Sequence, residues 1–79
     1  MQLIHIDNNM TEVGIEGVSI LFSYETPVAM HNAYGYFRTN KKWGLTTNRH
    51  INKWLGSIKA NEVEQTVLDD LINNIGFYN

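Results

Sequence analysis

Hydrophobic and polar residues alternate with a period of two along the first half of the chain. Residues 18–24 show the pattern most clearly, because four larger side chains share one set of alternating positions and two serines flank Leu21 on the other. Successive side chains of a β-strand point to opposite faces, so this pattern predicts strands. The segments predicted to be extended are 2–7, 12–16, 18–24, 27–31, 36–39 and 42–45. The second face of 18–24 carries mostly small side chains. We therefore expect this face either to be half exposed or to lie close to another element.

Short polar and glycine-containing clusters separate the predicted strands. We expect tight turns at 7–9, 16–17 and 32–35, because Asn, Asp and Gly adopt left-handed backbone conformations more readily than other residues. Pro27 cannot donate a backbone hydrogen bond, so it is expected at the start of a strand or at a sheet edge.

The hydrophobic period changes after residue 45 from two to about 3.6, which predicts a helix. The segment from Trp43 to Leu55 is therefore interpreted as the end of a strand that runs into a first helix. The hydrophobic stripe of this helix consists of Ile51, Trp54, Leu55 and Ile58. Thr46 and Thr47 are alternative caps, since a threonine hydroxyl accepts a hydrogen bond from a free N–H of the first turn.

A second helix is predicted after a linker at 59–63. Its hydrophobic stripe consists of Leu68, Leu71, Ile72 and Ile75. Two starts fit the sequence. Either Asn61 is the cap with Glu64 in capping-box position, or Glu64 is the cap and Val63 forms a hydrophobic staple with Leu68. The aromatic pair at 77–78 is expected to pack back on the sheet or a helix, or to be disordered.

These elements predict an α+β protein, a small antiparallel β-meander of four to five short strands followed by two C-terminal helices packed on one face. The length of 79 residues predicts a single domain, residues 1–79. A domain of this size buries only about 60–65% of its unfolded surface. A homodimer would enlarge the core and is kept as an alternative to a monomer.

The composition indicates the cellular compartment in which the protein is expected. There is no cysteine, which excludes disulfides and thiolate metal sites and fits a reducing environment. No hydrophobic run reaches transmembrane length, and the first residues lack the basic and hydrophobic regions of a signal peptide. We therefore expect a cytoplasmic protein without a membrane partner.

The charges are distributed unevenly. The net charge is −2, yet all six basic residues lie between residues 38 and 59, and the eight acidic residues lie before and after that stretch. Such asymmetry indicates a candidate docking surface. The residues predicted to bind a partner or an anion are Arg38, Lys41, Lys42, Arg49 and Lys53. The alternative is that the acidic second helix lies beside this stretch and neutralises it.

Residue types that catalyse reactions or bind metals do not occur in the required patterns. His5, His31 and His50 have no second ligand at i+3 or i+4. The serines form no nucleophile elbow and the glycines no phosphate-binding loop. We therefore predict no enzyme activity, no catalytic residues, no metal and no cofactor. His50 is expected at the rim of the buried helical stripe.

Several motifs resemble a group of small phage-encoded proteins of unknown function. They are Ser-Tyr-Glu-Thr-Pro-Val-Ala at 23–29, Phe-Arg-Thr at 37–39 and the segment 43–55, and the similarity extends over 18–72. Proteins of that group often carry serine at the positions of Gly44 and Glu64. The resemblance implies an accessory protein made by a phage or prophage that binds a host macromolecule, including defence machinery in the manner of anti-CRISPR proteins. It implies no catalytic residues.

Two functions follow as predictions. The first is contact with a host or phage protein, with inhibition of a host or defence complex as the outcome. The alternative is nucleic-acid binding through 38–59. Thr46, Thr47 and Asn48 would contact phosphates, and Trp43, Tyr34 and Tyr36 would stack on bases. The acidic net charge favours the first, because nucleic-acid-binding domains are commonly basic.

Overall fold

The computed structural model describes residues 2–74. The strands are β1 (Gln2–Asp7), β2 (Met10–Ile15), β3 (Val18–Ser23), β4 (Thr26–Asn32), β5 (Gly35–Thr39) and β6 (Asn61–Val63), and the helices are α1 (Leu45–Leu55) and α2 (Gln65–Asn74). The prediction of an α+β protein with a meander followed by two C-terminal helices is confirmed. Neither helix of this part of the chain is long and apolar enough to span a membrane.

The six strands form one sheet in chain order. The first five strands pair with their neighbours in antiparallel fashion. β6 instead pairs with β5 in parallel, with Phe37 opposite Asn61 and Thr39 opposite Val63. A parallel pair requires a crossover connection, and α1 provides it between β5 and β6.

The first two hairpin turns lie where the polar clusters predict them. The φ values of Asn9, Glu16 and Gly17 are 57°, 50° and 80°. Such left-handed positions match the twist of the flanking strands. In the first turn, the backbone N–H of Asn8 donates to the Asp7 carboxylate at 2.8 Å. The second turn places the hydrophobic positions of β2 opposite those of β3, for example Val13 opposite Ile20.

The two helices cover opposite faces of the sheet. Leu21 belongs to the same buried cluster as Ile51 of α1, whereas its chain neighbours Ile20 and Phe22 belong to the cluster that contains Leu68 of α2. Adjacent strand residues point to opposite sides, so the clusters lie on either side of the sheet. The α1 cluster is Met10, Leu21, Val28, Ala29, Ile51 and Leu55, and the α2 cluster is Val13, Ile20, Phe22, Met30, Leu68 and Ile72.

This arrangement differs from the expectation that both helices pack on one face, and the sheet has six strands instead of four to five. Both sides of β3 are hydrophobic, since Ile20 and Leu21 are each fully buried, and each side needs a cover. β6 separates the helices along the chain and occupies the edge of the sheet. After β6, α2 packs on the side of the sheet that α1 does not cover.

The boundaries of the first helix also differ from the prediction. Residues 42–45 form no strand. Gly44 occupies the N-cap position without a side-chain cap hydrogen bond, so neither predicted threonine caps the helix. α1 ends at Leu55, because Gly56 adopts a φ of 60°, and Ile58 lies beyond it, 44% exposed. The predicted stripe is confirmed for Ile51 and Leu55, while Trp54 is half-buried.

The second helix follows the later of its two predicted starts. Residues 61–63, expected to be linker, form β6, and Glu64 directly precedes α2. Val63 and Leu68 pack in one cluster, as the staple predicts. Leu68 and Ile72 of the stripe are fully buried. Ile75 and the pair at 77–78 lie outside the described residues.

Candidate functional site

Helix α1 packs on β3 and β4 and presents polar side chains along both of its flanks. Its buried residues are Thr47, His50, Ile51 and Leu55. Asn48 and Asn52 lie on the flank towards β5 and β6, and Thr46 and Lys53 lie on the flank towards the β1–β2 turn. We call this side of the molecule the α1 face.

A groove between α1 and strands β5 and β6 collects three of the predicted site residues. Arg38 points into it because it pairs with Ala29, whose side chain belongs to the α1 cluster. Lys41 and Lys42 follow in the connection to α1. We call this cavity of about 680 Å³ the Arg38 groove, and its lining is Arg38, Thr39, Asn40, Lys41, Lys42, Trp43, Asn48, Asn52 and Glu62.

Three of the four charged side chains that line the Arg38 groove are basic. The Nζ of Lys41 lies 4.2 Å from the ring centroid of Trp43, a cation–π contact. The Trp43 Nε1–H in turn donates to Gln65 Oε1 at 3.2 Å, which orients the ring. The Nε of Arg38 is buried and has no hydrogen-bond partner among residues 2–74. Glu62 stands opposite Arg38 in the β5–β6 register, but no ion pair joins them in the described chain.

A second cleft lies on the other flank of α1, against the β1–β2 turn. We call it the Lys53 cleft, and its lining is Asp7, Asn8, Asn9, Thr46, Arg49, His50 and Lys53. The Nζ of Lys53 donates to Asp7 Oδ2 at 2.7 Å, and both side chains are about half exposed. The Lys53 ammonium, together with the backbone N–H of Asn8, holds the pKa of Asp7 below its ordinary value. Water screens this exposed ion pair, so its contribution to folding is small.

Helix α1 divides the predicted basic patch in two. All five predicted residues lie on the α1 side of the sheet, three in the Arg38 groove and two at the Lys53 cleft. None of the five forms an ion pair with an acidic residue of α2 in the described chain, where the ion pair found joins Lys53 and Asp7. Asp69 accepts a hydrogen bond from Gln65 Nε2 at 3.1 Å, and Gln65 Oε1 accepts from the Trp43 Nε1–H. Direct pairing of the basic residues with α2 is therefore not observed, and binding of a partner by these five residues stays a prediction.

A buried polar cluster beneath α1 was not predicted. Ser23 Oγ lies 2.7 Å from His50 Nδ1 and 3.0 Å from Thr47 Oγ1, within hydrogen-bonding distance of both. Ser23 is only 2% exposed, so its hydroxyl is closed to solvent. The cluster pairs polar groups that would otherwise be buried without partners. The small polar side chain at the end of a hydrophobic strand was the available signal, and α1 is the element that approaches it.

Asn52 and Glu62 of the Arg38 groove were also missed, and Asn48 was predicted only as a phosphate contact at the helix start. Asn48 and Asn52 are four residues apart on α1 and so share one flank, which the helical period could have shown. Glu62 reaches the groove only through the parallel pairing of β6, for which the sequence carries no clear signal. In residues 2–74, no group of three or more His, Asp or Glu side chains is arranged to hold a metal ion.

Residues 2–70 of the chain match a family of unknown function, DUF8033. The matched segment contains every described strand, the whole of α1 and the first part of α2, and so includes both the Arg38 groove and the Lys53 cleft. No curated protein and no solved structure matches the chain.

Proposed function

The chain belongs to the DUF8033 family, and we propose that it acts by binding a partner protein through the α1 face. The observation that carries this proposal is the excess of basic over acidic residues at the two clefts beside α1. The five predicted basic residues line these clefts together with two acidic residues, Asp7 and Glu62, whereas the acidic pair Asp69 and Asp70 lies on α2.

The biological setting that we propose is a small accessory protein of a phage or prophage. It would act in the host cytoplasm on a host protein or defence complex. The resemblance of segments 23–29 and 43–55 to small phage-encoded proteins supports this setting. An acidic protein surface is the partner chemistry that the α1 face suits best.

This uneven distribution of charge favours one docking orientation. A basic face attracts an acidic surface and raises the rate of association, whereas an acidic face repels the same surface. The protein would therefore meet an acidic partner with α1 towards it. Mutation of exposed charges at such a contact mainly changes the association rate and its dependence on salt.

Nucleic acid is the less favoured partner. B-DNA carries one negative charge for about every 1.7 Å of its axis, so binding it requires many free cations. Asp7 already pairs with Lys53, Glu62 lies in the Arg38 groove, and the chain has a net charge of −2. Trp43 is oriented by Gln65 and has Lys41 over its ring, which limits its use as a stacking platform.

Affinity capture from host lysate with paired variants tests the proposal. The α1-face variant carries Lys41→Gln and Lys42→Gln, and the matched control carries Asp69→Asn and Asp70→Asn. Both pairs are exposed, so stability should change by less than about 0.5 kcal/mol per substitution.

We expect the wild type and the control to retain the same protein partner. The α1-face variant should retain less of it, and the wild-type association rate should fall as salt rises. Capture of no protein by the wild type, or equal loss in both variants, would contradict the proposal. Capture of DNA or RNA instead would favour the alternative.

A further inference from the structure

We infer that the Arg38 groove receives a carboxylate side chain from an exposed acidic segment of the partner, with the Arg38 guanidinium as its anchor. This assignment rests on the proposed function and specifies the chemistry of its contact. Its starting point is the Arg38 Nε, which is buried without a hydrogen-bond partner among the described residues. Buried polar groups are nearly always paired in folded proteins, because an unpaired one loses its hydration without compensation. No described residue forms an ion pair with this guanidinium, so its charge remains available to an anion that enters the groove.

The groove supplies no such acceptor to Arg38. Glu62 faces it across the β5–β6 pair, yet no hydrogen bond or ion pair joins the two within residues 2–74. The hydroxyl of the next residue, Thr39, accepts from the backbone N–H of Lys41 at 3.1 Å. The Arg38 guanidinium is therefore left available to an external acceptor.

The charge of the lining limits the size of the anion. Lys41 and Lys42 are exposed at the rim, and Lys41 is positioned over the Trp43 ring. With Arg38 they outnumber the single acid, Glu62, by three to one. This balance suits one or two negative charges, as on an acidic loop, and not a long polyanion.

The shape of the donors favours a carboxylate. A guanidinium presents parallel N–H groups in a planar fork that matches the two oxygens of a carboxylate. Asn48 and Asn52 line the opposite wall of the groove, from α1. Their amide groups can donate to a carboxylate oxygen. An aspartate or glutamate side chain entering the groove would thus meet donors from both walls.

A direct binding assay tests this assignment. The probe is a short fluorescein-labelled peptide of alternating glutamate and glycine, with the glutamine–glycine peptide as its uncharged match, and binding is followed by fluorescence anisotropy. We expect Arg38→Gln to weaken binding by about tenfold or more, as the loss of a hydrogen bond to a charged group implies. Arg49→Gln removes the same charge from α1 outside the groove and should weaken binding by less than about threefold.

Three results would overturn the assignment. They are equal effects of Arg38→Gln and Arg49→Gln, equal binding of the glutamine–glycine peptide, and stronger competition by inorganic phosphate or an oligonucleotide than by the unlabelled acidic peptide. Thermal melting checks that each variant is folded. If Arg38→Gln does not fold, Lys42→Gln at the exposed rim takes its place, with an expected loss of about threefold, and unchanged affinity would again overturn the assignment.

Capture from lysate separates this assignment from the proposed function. If Arg38→Gln retains the same protein partner as fully as the wild type, the groove assignment fails and the proposed function stands. If the wild type captures no protein, the proposed function fails, whatever the peptide assay shows.

Discussion

Replacing Ser23 with alanine should destabilise the protein by about 1–3 kcal/mol. Ser23 Oγ is the common partner of His50 Nδ1, at 2.7 Å, and Thr47 Oγ1, at 3.0 Å. All three residues are buried, with exposures of 2%, 7% and 8%. The substitution therefore removes one atom and leaves two polar groups beneath α1 without their partner.

The expected loss of stability comes from the unpaired polar groups of His50 and Thr47 and not from lost packing. Serine and alanine differ only by the hydroxyl, so the cavity left behind is small and its cost is minor. A buried polar atom that loses its partner costs about 1–3 kcal/mol, because water cannot replace the missing bond. A chain of 79 residues is expected to have a total stability of about 4–12 kcal/mol. The loss is therefore a measurable fraction of the whole.

Urea denaturation followed by circular dichroism measures the change, and Ser19→Ala is the matched control. Ser19 and Ser23 lie on the same strand and the same face, but Ser19 is only half-buried and no side-chain hydrogen bond to it is found in the described chain. We expect Ser19→Ala to change stability by less than about 0.5 kcal/mol. In thermal melting, each kcal/mol lost at Ser23 should lower Tm by about 4–8 °C.

Equal effects of the two substitutions would refute the reasoning, since they would show that the hydrogen bonds add nothing beyond the loss of a hydroxyl. A double-mutant cycle of Ser23→Ala with His50→Phe provides a second check. The two side chains are in contact, so their coupling energy should be at least about 0.5 kcal/mol. Additive losses would mean that His50 and Ser23 do not depend on each other.

Three further outcomes are expected. Ile72→Ala should cost about 2–5 kcal/mol in urea denaturation because Ile72 is fully buried, whereas Val67→Ala on the exposed side of the same helix should cost far less, and similar losses would contradict the placement of α2. The depressed pKa of Asp7 means that its ion pair with Lys53 stabilises the fold at neutral pH and is lost as the pH falls through the folded-state pKa. Lys53→Gln should therefore raise the pKa of Asp7 in an NMR titration, and an unchanged value would refute the pairing. Gly44→Ser should stabilise the protein by a few tenths of a kcal/mol in thermal melting, since Gly44 is an N-cap without a side-chain acceptor, and a lower Tm would argue against that assignment.

The sequence by itself determined five of the six described strands and the presence of both helices. Alternation identified the first five strands, and the 3.6-residue period identified Ile51 and Leu55 as buried positions of the first helix. Turn residues placed the hairpins, because a left-handed backbone at Asn9 and Gly17 is a local requirement. Even the start of α2 was among the predicted alternatives, since a helix cap depends on neighbours a few residues away.

Tertiary structure decided which elements meet. The alternation in β3 predicts a strand, but it does not predict which helix covers each face. In the structure, Leu21 packs in the α1 cluster and Ile20 packs in the α2 cluster. Strand β6 has only three residues, which is too few to show a hydrophobic period. Its pairing with β5 nevertheless brings Glu62 opposite Arg38 and forms one wall of the Arg38 groove. The division of the basic residues into two clefts follows from the position of α1 between them. The hydrophobic period of a helix or strand indicates which of its sides is buried. The element that packs against that side depends on contacts between residues that are distant in the chain.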